Sequence, residues 1–190
     1  AFDLLDDRQT KMAANHLVAK IEKNGGHLST GFVGTRDIMN VLSKVGRNDV
    51  AFKLLHNKTF PSWGFTIANG ATSIWERWDG WTPEKGFQDP GMNSFAHYAY
   101  GAVAGWMFKT IGGIDFAEPG FGKLVIAPKI DPMLRWADCT YQSVRGPITT
   151  KWRIGSGKLK LAVQIPANTR AAIEVPSQNS TPARHHVGSG

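Results

Sequence analysis

Apolar positions in the first half of the chain recur at helical spacing. Ala14, Leu17, Val18 and Ile21 fall at i, i+3, i+4 and i+7, which lines one helix face, and Gly25-Gly26 ends the run just after Lys20 and Lys23. A second helix is expected behind Thr35 as its cap, with Ile38, Val41, Leu42 and Val45 on the buried face and Gly46 as the stop. A third, shorter helix follows Asn48 and buries Ala51, Leu54 and Leu55. Residues 57–92 are rich in Gly, Pro and Trp and show no period, so they read as one long irregular stretch. Stretches of that length inside a compact domain are usually functional. A fourth helix is predicted from about Ser94 to Ile111; it is apolar nearly all round, which suits a place inside a large helical assembly.

Past Gly112-Gly113 the period falls to two. Leu159, Leu161, Val163 and Ile165 alternate with Lys160, Ala162 and Gln164, and Gly155-Ser156-Gly157 supplies a hairpin turn before them. Further strands are predicted over Lys123–Ile126, Arg135–Tyr141, Ile148–Ile154 and Ala171–Val175. The chain is therefore expected to be α+β in sequence order: helices over 1–113, a small antiparallel β-sandwich over 114–176, and a polar, aperiodic tail over 177–190 that reads as disordered. Four helices, one of them wholly apolar, cannot cover one another's buried faces, so the helical part reads as incomplete. The start at Ala1, without methionine or a signal-like pattern, agrees with missing upstream material.

Charge changes this picture little. The net charge is +7, but the 22 Lys and Arg are spread along the chain without a basic run, which argues against nucleic acid as a partner. The single cysteine, Cys139, excludes an intrachain disulfide and a metal site built on thiolates. No apolar run approaches the roughly 18–20 residues that span a bilayer, so the chain reads as soluble with no membrane partner, its compartment undetermined. Aromatics change the picture more. Of seven Trp, four (Trp63, Trp75, Trp78 and Trp81) lie close together in the irregular stretch, and flat apolar rings suit the C–H faces of sugars.

Candidate chemistry concentrates in Ala68–Trp81 (ANGATSIWERWDGW), where Glu76 and Asp79 stand among tryptophans. A carboxylate beside aromatic walls can activate water while the rings bind and desolvate a sugar. Glu76-Arg77 can equally be a surface ion pair, and Asp79-Gly80 can be a turn or a substrate ligand. His97, on the expected fourth helix, fits a satisfied structural histidine as well as a ligand to a shared cleft. Asp37 suits the first turn of its helix, Asp89-Pro90-Gly91 a turn, and Glu84 completes the acidic candidates. No P-loop, G-x-S-x-G elbow or H-E-x-x-H pattern occurs, and His185-His186 fall in the expected tail, so no cofactor and no metal is called for.

Four motifs in order, Thr30-Gly31-Phe32-Val33-Gly34-Thr35, Pro61-Ser62-Trp63-Gly64-Phe65, Thr72-Ser73-Ile74-Trp75-Glu76-Arg77-Trp78 and Met92-Asn93-Ser94-Phe95-Ala96-His97-Tyr98-Ala99-Tyr100-Gly101, resemble bacterial α-L-rhamnosidases of glycoside hydrolase family 78. The resemblance covers about residues 1–176. It implies the last third of an (α/α)6 catalytic barrel followed by a C-terminal β-sandwich, and an enzyme that inverts configuration at terminal α-L-rhamnose. It implies that Glu76 is the general base, that His97 contacts the sugar, and that Trp63, Trp75 and Trp78 form the aromatic pocket around rhamnose. Asp79 remains a candidate substrate ligand. The family's general acid lies earlier in the barrel, and no stretch here matches it. Ala96 stands where many relatives carry a polar residue, and Ser143-Val144-Arg145-Gly146 departs from the usual Ser-Pro-Tyr-Gly-like turn; neither change removes a catalytic group. The implied partners are rhamnose-containing glycosides. A different class of reading is a sugar-binding or self-associating module derived from such an enzyme.

Overall fold

A computed structural model describes residues 4–177 and 182–188. The chain divides into two compact units, Ala1–Val103 and Ala104–Gly190.

In the first unit, α1 (Asp7–Lys23) starts on a capping box: the Asp6 carboxylate accepts from the Gln9 backbone N–H, and the Gln9 side chain accepts from that of Asp6. Its face buries Val18 and Ile21, as the spacing predicts. Helix α2 (Phe32–Lys44) starts four residues earlier than expected, with Gly31 as N-cap. Thr35 does not cap it. Already inside the first turn, Thr35 is buried and its hydroxyl donates back to the Thr30 carbonyl. Ile38, Met39 and Leu42 form the buried face. Helix α3 (Asn48–His56) buries Val50, Ala51, Phe52 and Leu54.

The stretch 57–92 is less irregular than its sequence suggests. It holds a six-residue helix, α4 (Trp63–Ala68), a minimal hairpin of β1 (Trp81–Thr82) and β2 (Gly86–Phe87), and a 3₁₀ turn at Pro90–Met92. None is long enough to display a period. The expected fourth helix is also shorter than predicted. Residues 94–97 are not helical, a 3₁₀ turn covers Tyr98–Ala102, and only Val103–Thr110 is α-helix, α5. Apolar composition made the whole run look helical, but the backbone of 94–97 bonds to a neighbouring segment instead.

In the second unit two sheets pack around one core. The first has the order β3 (Ile114–Phe116), β4 (Lys123–Ile126), β8 (Arg170–Val175), β9 (Ala183–Gly188), and the second β5 (Trp136–Ser143), β6 (Gly146–Gly155), β7 (Lys158–Gln164). Ile114, Leu124, Ile126, Ile148 and Ala171 form the core, drawn from both sheets. Pairing is antiparallel except for β4 and β8, which run parallel, so the sandwich is mixed rather than purely antiparallel. Expected and observed strands differ most at the end. Ala183–Gly188, assigned to a disordered tail, pairs antiparallel with Arg170–Val175. Backbone pairing along a sheet edge needs no hydrophobic alternation, and all six β9 residues are exposed, so the sequence carries no signal for it. Residues 178–181, 189 and 190 of that tail lie outside the described residues. The Thr150 hydroxyl and the Trp152 indole donate to the carbonyls of Gly112 and Ile111 (2.7 and 2.8 Å), tying the end of α5 to β6.

Candidate functional site

The site begins with a helix cap. Ser62 accepts from the Phe65 N–H and starts α4, and Gly64 follows because its position admits no side chain: a Cβ there would stand 2.3 Å from the Asn57 carbonyl oxygen. This seats Trp63, whose indole donates to the Tyr100 carbonyl at 3.0 Å. The Trp78 indole donates to the Thr30 carbonyl, also at 3.0 Å. Trp78 stacks on Tyr100 with ring centres 3.8 Å apart and meets Trp63 edge-on at 5.2 Å. Trp75 meets Phe95 edge-on, also at 5.2 Å. The loop thus carries an aromatic core of its own.

Burial qualifies the role the sequence suggested for these rings. Trp63, Trp75 and Trp78 are only 8, 7 and 8% exposed, so they offer ring edges, not open faces. Together with Ile67, Ile74 and Tyr100 they line a depression of about 260 Å³. Glu76 is not among its lining residues.

Glu76 is positioned by a different device. Its backbone N–H donates to the Ser94 carbonyl (2.9 Å), the Ser94 N–H donates to Glu76 Oε2 (2.8 Å), the His97 N–H donates to the Ile74 carbonyl (2.9 Å), and the Ser73 hydroxyl bonds the Phe95 carbonyl. Segments 73–76 and 94–97 therefore lie side by side as a short two-stranded ladder. This is why 94–97 is not helical, and it brings the Glu76 and His97 backbones into one neighbourhood. One carboxylate oxygen is anchored, and Oε1 has no hydrogen bond among the described residues. A carboxylate held at one end and open at the other can accept a proton from water without reorienting.

His97 sits half-buried between Phe32 and Tyr98, with ring centres at 4.7 and 5.6 Å. Its Nδ1 accepts from the Ala99 N–H at 3.4 Å, which places the ring proton on Nε2 as a donor. Asp79 is not free. It takes a two-pronged ion pair from Arg77, both contacts at 3.0 Å, and that guanidinium holds its carboxyl below the usual carboxylate range. Glu76-Arg77 is accordingly not the ion pair of this loop; Arg77 belongs to Asp79. Asp89 accepts from the Gly91 N–H and is a turn former, as expected. Asp37 is the sixth residue of α2, not in its first turn, and pairs with Arg36 at 3.3 Å. Glu84 is exposed.

Three participants went unassigned in the sequence. Ser94 meets Glu76 through its backbone N–H and carbonyl, which no side-chain pattern reveals. Asn93, buried, donates to the carbonyls of Gly80 and Gln88 (2.9 and 3.4 Å) and fixes the hairpin beside the ladder. Gly80 must be glycine there, since a Cβ would come within 2.7 Å of Asn93 Oδ1. Tyr100, pushed up to about 12 chiefly by burial and secondarily by Asp79, stays a neutral phenol. Its place in an aromatic run was the available signal. Among the described residues no group of three or more His, Cys, Asp or Glu could hold a metal ion. No described helix is long and apolar enough to cross a membrane.

Helices ending in an aromatic loop that orients a carboxylate, followed by a two-sheet β unit, are the arrangement matched by a six-hairpin glycosidase domain and the C-terminal domain that follows it. More particularly, the chain belongs to the bacterial α-L-rhamnosidase family: the model of the family's six-hairpin glycosidase domain matches residues 1–111 and that of its C-terminal domain residues 113–188. The α-L-rhamnosidase of Streptomyces avermitilis is 44% identical over 188 residues, 99% of this chain and 18% of that protein. One from Formosa agariphila is 42% identical over 95% of this chain and 19% of that protein. The crystal structure of the Streptomyces enzyme complexed with L-rhamnose superposes with a TM-score of 0.94 at 42% identity, over 99% of this chain and 20% of that one. That of the Aspergillus terreus enzyme does so with 0.88 at 35%, over 97% and 21%. The chain spans about a fifth of the length of these relatives.

Proposed function

We propose that this chain supplies the general base and part of the rhamnose pocket of an inverting α-L-rhamnosidase that releases terminal α-L-rhamnose from glycosides. The observation that carries the reading is the Glu76 carboxylate, anchored through Oε2 by the Ser94 N–H on a ladder shared with His97. In inverting hydrolysis a carboxylate base activates water on one face of the sugar while an acid about 6.5–9.5 Å away protonates the leaving oxygen. Glu76 serves as that base, His97 Nε2–H donates to a sugar hydroxyl, and the edges of Trp63, Trp75 and Trp78 provide the apolar wall for the rhamnose methyl group. Asp79 is held by its ion pair with Arg77. The acid is supplied by a part of the catalytic domain outside these 190 residues.

The test is Glu76→Gln within a complete family member, the Streptomyces relative with its matching 188 residues exchanged for this chain. Turnover of an aryl α-L-rhamnoside is expected to fall at least about 10²–10⁴-fold, the range of a lost acid–base catalyst, with rhamnose affinity largely kept. Turnover that survives in the variant would remove Glu76 from the role of base.

A second reading, self-association of the isolated chain, is favoured by an apolar groove of about 510 Å³ lined by Leu4, Leu5, Ala13, Leu17, Val41 and Val45. Light scattering over a concentration series tests it, and a strict monomer counts against it.

A further inference from the structure

We propose that the solvent face of the β5–β6–β7 sheet is a binding site for an oligosaccharide bearing carboxylates, with Trp136 as the stacking platform and Arg153 and Lys160 as the carboxylate ligands. The proposal does not depend on Glu76.

Strand alternation builds the face. Residues 137, 139 and 141 of β5, with Ile148, Thr150 and Trp152 of β6, point to the covered side, so Trp136, Asp138, Lys151, Arg153, Lys158 and Lys160 point outward. Register places Trp136 opposite Arg153 and Arg153 opposite Lys160, one continuous row across three strands. The next row sets Asp138 opposite Lys151, and these two form an ion pair at 2.8 Å. Four cations thus share the face with one anion, and Arg153, Lys158 and Lys160 have no ion-pair partner among the described residues. Trp136 is 61% exposed. A groove of about 480 Å³ runs between Trp136, Asp138, Lys151, Arg153 and Lys160.

What sets Trp136 apart from a singly exposed apolar residue is the cationic row it shares with Arg153 and Lys160. The indole face complements the C–H face of a pyranose. Directly opposite residues on paired strands have Cβ atoms about 4.5–5.5 Å apart, so the Arg153 guanidinium lies within reach of a substituent on a ring stacked at Trp136. A guanidinium fork matches a carboxylate with two parallel hydrogen bonds, and Lys160 meets a second acidic group one strand further on. Single-stranded nucleic acid fits the face less well. It calls for successive aromatic platforms along a basic track, whereas there is one platform here and a carboxylate, Asp138, in the adjoining row.

The test is calorimetric titration of the 190-residue chain with hexagalacturonate, its methyl ester and an oligothymidylate of equal charge. Hexagalacturonate is expected to bind, and to weaken as salt rises. Esterification, Trp136→Ala and the double variant Arg153→Gln/Lys160→Gln are each expected to weaken it by about tenfold or more, the ratio that 1.4 kcal/mol represents. All three positions are exposed on the sheet, and circular dichroism checks that the variants fold. No binding of hexagalacturonate overturns the proposal. So does equally tight oligothymidylate, which would make the face a general anion patch, or an unchanged affinity in Trp136→Ala.

Discussion

Glu76 is bonded to its ladder through one carboxylate oxygen, and the donor is a main-chain N–H that substitution cannot easily remove. This predicts a spectroscopic signature: Glu76→Gln moves the Ser94 amide resonance in a nuclear magnetic resonance spectrum, and an unmoved resonance would refute the bond. The Arg77–Asp79 pair predicts a titration. The folded Asp79 carboxyl titrates below the unfolded value of about 3.9 because Arg77 bonds its charged form. The pair's contribution is therefore fully present above that pH and is lost as pH falls through the folded value. Both side chains are about 40% exposed, so the effect on stability is small. Arg77→Gln is expected to return the Asp79 titration, read from its side-chain carboxyl resonance, toward the ordinary range; an unmoved titration would refute the assignment. From the sequence, Glu76 and Asp79 were legible as carboxylates among tryptophans, but not which of them Arg77 would take. Residues 77–80 form a turn closed by the Gly80 N–H bond to the Arg77 carbonyl, and that turn brings the Arg77 and Asp79 side chains together.

Short elements do most of the positioning. Helix α4 has six residues, too few to be stable alone, and holds because Ser62 caps it, Trp63 is pinned to Tyr100 and Gly64 lets it close on the backbone of Asn57. Gly64→Ala forces a Cβ into that carbonyl and is expected to lose about 1–3 kcal/mol by denaturant unfolding, a typical overpacking cost. Ser62→Ala removes only the cap and should lose about 1 kcal/mol. A Gly64→Ala chain as stable as the parent would mean that this contact relaxes freely. The long helices and five of the seven strands of the β unit could be read from period and turn signals. Helix α4, β3, β9 and the non-helical 94–97 could not: α4 and β3 are too short for a period, β9 is exposed at every residue, and 94–97 is held by backbone bonds to 73–76.

For the whole molecule, helical faces with incomplete cover and a single candidate catalytic carboxylate predict that the isolated 190-residue chain gives no measurable hydrolysis of an aryl α-L-rhamnoside; a rate near that of a complete relative would mean that the acid lies within these residues after all. The succession of helices and strands, the glycines that stop them, and the tryptophan-rich loop with Glu76 follow from local pattern alone, because periodicity and turn chemistry act over a few residues. Tertiary structure alone decided the rest. The pairing of 73–76 with 94–97, the withdrawal of three tryptophans into a packed cluster and the parallel match of β4 with β8 each join residues far apart in the chain, and the recruitment of Ala183–Gly188 to a sheet edge rests on backbone bonds along exposed residues. Backbone hydrogen bonds carry no side-chain signature, and the burial of an indole depends on what folds against it, so neither is written in the spacing of the residues themselves.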